Sequence, residues 1–333
     1  MAKTKKSVVD LLIDLINVPS ISENEQALCR FIYRFLSKLS FDQIERQVVD
    51  DRGFNIVAQS GQPKIFLQAH MDTVPPFIKA KRKEEKIFGR GACDTKSCLA
   101  SMIVAANKAL DQNLTNFGLI FTVGEETNFR GVKKIVEKYQ NLPFVIVGEP
   151  TKLKPVNGHF GIGTIMIKAK GKAVHTSIPE QGINAIEKLL VGLDKLASFS
   201  PQRGSLLSLV KISGGMAENV VPDQAQALYN FRISPQDKGA NYPAKFKQIL
   251  SGTDLSAEPG LILLPVKSVI PKNLAFLGSG ETVSYATELS FFKKGLVLGP
   301  GNIKWAHSKN EFIKIKELEE AVNLYEKIIT AYQ

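Results

Sequence analysis

The stretch FGLIFTVGEETN, Phe117 to Asn128, decides the fold. An apolar run from Phe117 to Val123 reaches Gly124 and then meets two adjacent glutamates, Glu125 and Glu126. A run without polar alternation predicts a strand covered on both faces. Adjacent carboxylates repel each other, and both are costly to bury. Something at the end of that strand must compensate them.

Similar short apolar runs lie at 54–58, 65–69 and 144–147, with helical spacing at 97–110 and 131–139. Upstream, residues 8–16 predict one helix. Ser22 and Glu25 fit a capping box that would open a second, through residue 39. Strands alternating with helices predict an α/β class layer with a mostly parallel sheet. The texture changes after Gly161. Strands at 164–169, 206–212, 225–233 and 261–266, with helices at 183–196 and 242–250, give the ferredoxin-like order β-α-β-β-α-β. After Val269 the first texture returns, with a helix at 282–292, a strand at 295–298 and a helix at 316–332. The expected organisation is a catalytic domain at 1–160 and 269–333, interrupted by an inserted lid or dimerisation domain at 161–268.

Composition narrows the class. Of 333 residues, 44% are hydrophobic, enough for real cores, so disorder is not expected. No apolar run reaches the roughly 18 residues of a membrane span. Asp10 and Asp14 interrupt any signal-peptide core in the basic start, which reads as an amphipathic helix with a charged lead-in. Three cysteines, Cys29, Cys93 and Cys98, cannot all pair and lack zinc-type spacing, which fits a reduced, cytoplasmic compartment. The net charge of +11 is spread along the chain, and only KAKRKEEKIFGR, 79–90, is dense. It lacks the aromatic interleaving of a nucleic-acid surface, so neither nucleic acid nor membrane is expected as a partner.

The chemistry-bearing residues fall at predicted strand ends. His70 lies in QAHMDTVPP with Asp72 two residues on, and Asp94 lies in GRGACDTKS. Glu149 ends the run in VIVGEPT, and His307 sits in GPGNIKWAHSKNE. In an open α/β sheet, sites form outside the carboxyl ends of the strands. His70, Asp94, Glu125, Glu126, Glu149 and His307 should therefore converge. So many acids need cations, and a mixed imidazole and carboxylate set suits zinc, with cobalt or manganese as substitutes.

These motifs carry a resemblance. HMDTVP, GRGACDTK, GEET, GEPT and AHSKNE together resemble the co-catalytic di-zinc deacylase and carboxypeptidase family, which has a zinc-peptidase-like α/β/α catalytic domain. Within it, GRGACDTK, GEPTKLKPVNGHFG and LGPGNIKWAHSKNEFI look closest to acetylornithine deacetylase. The resemblance implies two zinc ions, replaceable by cobalt. His70 and Glu149 would hold one, Glu126 and His307 the other, with Asp94 bridging. It also implies Glu125 as general base, Asp72 as the partner of His70, and a cis peptide at Asp94–Thr95. His175, in GKAVHTSIPEQGINAI, would act in the partner subunit of a homodimer formed through the lid. Asn219 and Arg232 match lid positions near the substrate, and His159 reads as structural. The implied activity is removal of an N-acyl group from an amino acid, with N-acetylornithine first. Alternatives are succinyl-diaminopimelate desuccinylase, and release of lysine or ornithine from an acidic carrier protein drawn to 79–90. The reading from another class is a non-catalytic metal-binding relative.

Overall fold

The computed structural model describes residues 6–202, 204–237 and 241–333; the charged lead-in at 1–5 lies outside them. The chain divides into two compact units. The first comprises Met1–Gly158, Ser268–Thr282 and Thr287–Gln333, and the second His159–Lys267 with Val283–Ala286. Expected boundaries at 160/161 and 268/269 differ from these by one or two residues. The return of 283–286 to the second unit was not expected.

The first unit opens with helices α1 (Val8–Asn17) and α2 (Gln26–Leu36). A hairpin of β1 (Gln43–Asp50) and β2 (Gly53–Ser60) follows, then β3 (Ile65–His70) and the short pair β4 (Lys81–Lys83) and β5 (Lys86–Phe88). Next come α3 (Lys96–Asp111), β6 (Phe117–Thr122), α4 (Arg130–Lys138), β7 (Phe144–Val147) and β8 (Val156–His159).

The second unit is built from β9 (Gly161–Lys170), α5 (Ala185–Ala197), β10 (Leu206–Gly214), β11 (Gln224–Ile233), α6 (Tyr242–Ile249) and β12 (Leu255–Leu263). Its sheet runs β10-β11-β9-β12, antiparallel throughout, which is the ferredoxin-like arrangement. Strand β9 alternates buried and half-buried residues as its sequence predicts. Ile165, Ile167, Phe231, Tyr242 and Phe246 fill the core beneath it. Asn184 caps α5 by accepting from the Ile186 N–H at 3.0 Å, a contact typically worth about 1 kcal/mol.

Beyond β13 (Val266–Lys267) and β14 (Glu281–Val283), the chain adds β15 (Gly295–Val297), β16 (Phe312–Lys314) and α7 (Ile315–Thr330) to the first unit. The central sheet is mixed rather than mostly parallel. In the order β1-β2-β6-β3-β7-β15-β8, only β6, β3, β7 and β15 run parallel. The reason is connection length. Helix α3 carries the chain from β3 to β6 and α4 from β6 to β7, whereas β1 and β2 are joined by Asp51 and Arg52 alone. A link that short permits only an antiparallel pair. Strands β3, β6 and β7 are buried along their whole length, and α1, α3 and α7 pack into the same core.

Two local expectations fail for a shared reason. Ser22 and Glu25 do not form a capping box, and α2 starts at Gln26 without a side-chain cap. Ser22 instead donates to Asp72 Oδ2 at 2.8 Å, and buried Glu25 accepts from Arg130 at 2.6 Å. A cap contributes about 0.5–2 kcal/mol. Breaking a buried ion pair costs about 3–5 kcal/mol, so the tertiary partner wins. Likewise 282–292 is not a helix. It overlaps the end of β14 and contains a 3-10 turn at Glu288–Phe291, because Glu288 is drawn into the core to meet Gln68 and Thr122. Among the described residues, no helix is long and apolar enough to cross a membrane.

Candidate metal centre

The parallel strands deliver the site. His70 is the last residue of β3, with Thr122, the last of β6, paired beside it. Glu125 and Glu126 follow β6 after Gly124, whose φ of 73° lets the chain turn sharply where a side chain would meet Arg130. Glu149 stands two residues past β7, and Gly148 N–H donates to Gln68 O at 2.7 Å. Asp94 precedes α3, across a cis peptide from Thr95. His307 sits in the loop between β15 and β16 with φ 62°, a conformation uncommon for a residue with a side chain.

Four donor residues meet around Asp94. Its Oδ1 lies 3.2 Å from His70 Nε2 and its Oδ2 lies 3.3 Å from His307 Nε2. Glu149 Oε1 is 3.9 Å from His70 Nε2, and Glu126 Oε1 is 2.9 Å from His307 Nε2. The result is two trios, His70–Asp94–Glu149 and Asp94–Glu126–His307, each with donor atoms within 4.8 Å of one another. A third grouping, His70–Glu125–Glu126, places Glu125 against both. A carboxylate shared by two trios is the arrangement a two-ion centre needs. The oxygen and imidazole donors suit zinc, cobalt or manganese. Cys93 and Cys98 are close in sequence but remain thiols, since burial pushes Cys98 up to about 12 and Cys93 higher still.

Electrostatics shows the same crowding. Withdrawal from solvent, reinforced by Glu149, Glu126 and Glu288, holds Glu125 well above the usual carboxylate range. Burial and then Asp94 do the same to Glu149, and burial raises Glu126. Burial alone would lower His70, but the Asp72 and Asp94 carboxylates outweigh it and hold the imidazole well above its ordinary value. Hydrogen bonds that the Asp94 and Glu126 carboxylates accept raise His307 to about 10. Burial would raise Asp94, yet the two histidines hold it below its usual range. Each group is displaced toward the state in which positive charge sits between the carboxylates, which is where divalent ions fit.

Asp72 does more than face His70. His70 Nδ1 lies 3.0 Å from the Asp72 carbonyl oxygen and 3.6 Å from its carboxylate. That carboxylate accepts the N–H groups of Glu125 at 3.0 Å and Glu126 at 3.1 Å. It therefore fixes the turn that aims the two glutamates apart.

His175, Asn219 and Arg232 all belong to the second unit. His175 and Asn219 are exposed neighbours: His175 pairs with Val220, and Thr176 N–H donates to Asn219 O at 3.0 Å. Arg232 is half-buried on β11 between Leu206 and Ile162. His159 is buried, with Nδ1 against Phe160 O at 2.9 Å.

Sequence reasoning missed Glu288. It is fully buried, accepts from Thr122 Oγ1 at 2.8 Å and from Gln68, and burial lifts it to about 7. Gln68, a polar residue two positions before His70 in an otherwise apolar strand, was the available signal.

Residues 66–331 match the profile described as Peptidase family M20/M25/M40. A probable carboxypeptidase of Aspergillus flavus is 33% identical over 372 residues, covering 95% of this chain and 88% of its own. Aminopeptidase PepT from Bacillus cereus superposes with a TM-score of 0.81 at 20% identity, over 98% of each chain. The Bacillus subtilis protein YXEP, described as a dinuclear metal-binding peptidase of the M20 family, superposes at 0.71 and 19% identity, over 98% and 97%.

Proposed function

The chain belongs to peptidase family M20/M25/M40, and from that premise we propose a two-metal hydrolase that frees an amino acid from a small N-acyl or peptidyl substrate. The observation that carries the reading is the sharing of Asp94 by two donor trios with Glu125 alongside. His70, Asp94 and Glu149 would hold one ion, and Asp94, Glu126 and His307 the second, zinc or its substitute cobalt. Such ions supply Lewis acidity and a water acidic enough to attack near neutral pH. Glu125 takes the proton of the attacking water and returns it to the leaving nitrogen. Asp72 holds the turn that presents it.

N-acetylornithine is the first substrate on this reading, by likeness of the motifs around Asp94, Glu149 and His307. The carboxypeptidase name of the curated relative makes short peptides the competing class. The exposed strand β4 (Lys81–Lys83) and Lys314 of β16, on the other side of β5 in the same sheet, support a third, an acidic carrier bearing the amino acid. A panel of N-acetyl, N-succinyl and glutamyl amino acids and dipeptides, with zinc or cobalt and at two ionic strengths, separates them. Metal-dependent release of an amino acid is expected. Metal binding without turnover on any member would leave a non-catalytic metal protein. A kcat/KM indifferent to salt removes the carrier, because steering is screened within a Debye length.

His175 is assigned to the oxyanion of the partner subunit's reaction, and Asn219 and Arg232 to substrate contacts. What supports a homodimer is the edge strand β10, which exposes Leu206, Val210 and Ile212 at 54–58%. An apolar edge of that kind invites a second copy. Mixing inactive Glu125→Gln with inactive His175→Ala should restore part of the activity. A verified monomer with full activity refutes the assignment. The three free, buried cysteines support a reducing, cytoplasmic compartment; an oxidised bridge in protein isolated from cells without reductant would count against it.

A further inference from the structure

Arg90 and Glu311 form an ion pair at 2.6 Å, both 2% exposed or less, and neither side chain belongs to a donor trio. What they hold is backbone. Glu311 Oε1 accepts the N–H groups of Cys93 at 2.9 Å and Asp94 at 3.0 Å. Arg90 donates to the carbonyls of Ser308 at 3.2 Å and His307 at 3.4 Å, and to Pro75 O at 3.4 Å. One pair thus joins the segment carrying Asp94 to the loop carrying His307.

The two trios depend on it unequally. His70 and Glu149 stand at the ends of buried, ladder-bonded strands. His307 stands on a loop, its side chain 49% exposed, in a left-handed conformation that its surroundings must enforce. Resting on the two-metal reading above, we infer that the Arg90–Glu311 pair is a positioning clamp that sets ion affinity at the Asp94–Glu126–His307 trio.

The test is calorimetric titration of chelator-stripped protein with zinc. Wild type should take up two ions in separable steps. Glu311→Gln keeps an oxygen for the two N–H groups but removes the charge Arg90 requires. It should weaken the weaker step about 10- to 100-fold, the usual cost of losing a residue that orients ligands, with the tighter step little changed. Arg90→Lys keeps the charge without the fork and should fall between; it is read alone if Glu311→Gln does not fold. Ile329→Ala, a buried truncation on α7, should lower the melting temperature and leave both steps intact. Equal weakening of both steps, or of neither, overturns the clamp. Uptake of no ion by wild type overturns the two-metal reading and the clamp with it.

Discussion

Glu125→Gln should lower kcat by about 100- to 10,000-fold, the usual contribution of a positioned acid–base group, and leave two ions bound. The argument starts from the turn. Asp72 binds the N–H groups of both glutamates, so their backbones are fixed together while their side chains part. Glu126 meets His307, whereas Glu125 makes no such contact and faces His70 and Glu149 as a charge. A carboxylate there can take a proton at attack and give it up at departure, and an amide of the same shape cannot. Because Glu125 also belongs to a possible trio with His70 and Glu126, the ion count is the second readout. Loss of an ion in Glu125→Gln would make it a ligand. Full activity would remove it from the mechanism.

Much of this centre was legible because its donors are chemically rare and fall at strand ends. His70, Glu125, Glu126 and Glu149 follow buried apolar runs, and only the carboxyl edge of a sheet could gather them. The residues that hold those donors were not legible. Glu311 lies 217 positions from Asp94, and Glu288 lies 166 from Thr122. Neither leaves a local pattern. The same blindness produced the capping box at Ser22 and the helix at 282–292, where local preference was plain and a distant buried partner outweighed it. Strand β1 escaped notice because its apolar residues do not alternate: its one buried position is the polar Gln47, Val48 is exposed, and only Ile44 and Val49 pack half-buried against the core.

Chelation should abolish turnover and also reverse the way stability responds to pH. Glu125, Glu126 and Glu149 are raised above the ordinary carboxylate value of 4.5. Their stabilisation is fully present below that value and is lost as pH rises through their folded-state values, because the native state keeps protons the unfolded chain has released. His70 is raised well above 6.5 and His307 to about 10, so theirs is likewise lost on the alkaline side. Asp94 and Asp72 are depressed; their contribution is lost only as pH falls below the ordinary carboxylate range. Between pH 5 and 8 the contributions of the cluster therefore share one sign, and Glu288, raised to about 7, adds to it; His159 and Lys96, lowered by burial, the latter to about 7, act against it and are outnumbered. Each full excess proton is worth about 1.4 kcal/mol per pH unit. Divalent ions compete with these protons and bind more tightly as they leave. The chelated protein should melt at lower temperature at pH 8 than at pH 5, and the gain on adding zinc should widen over that interval. Scanning calorimetry at both pH values, with and without chelator, measures it. A chelated protein more stable at pH 8, or a zinc effect that shrinks with pH, would show that the cluster is held together by something other than cations.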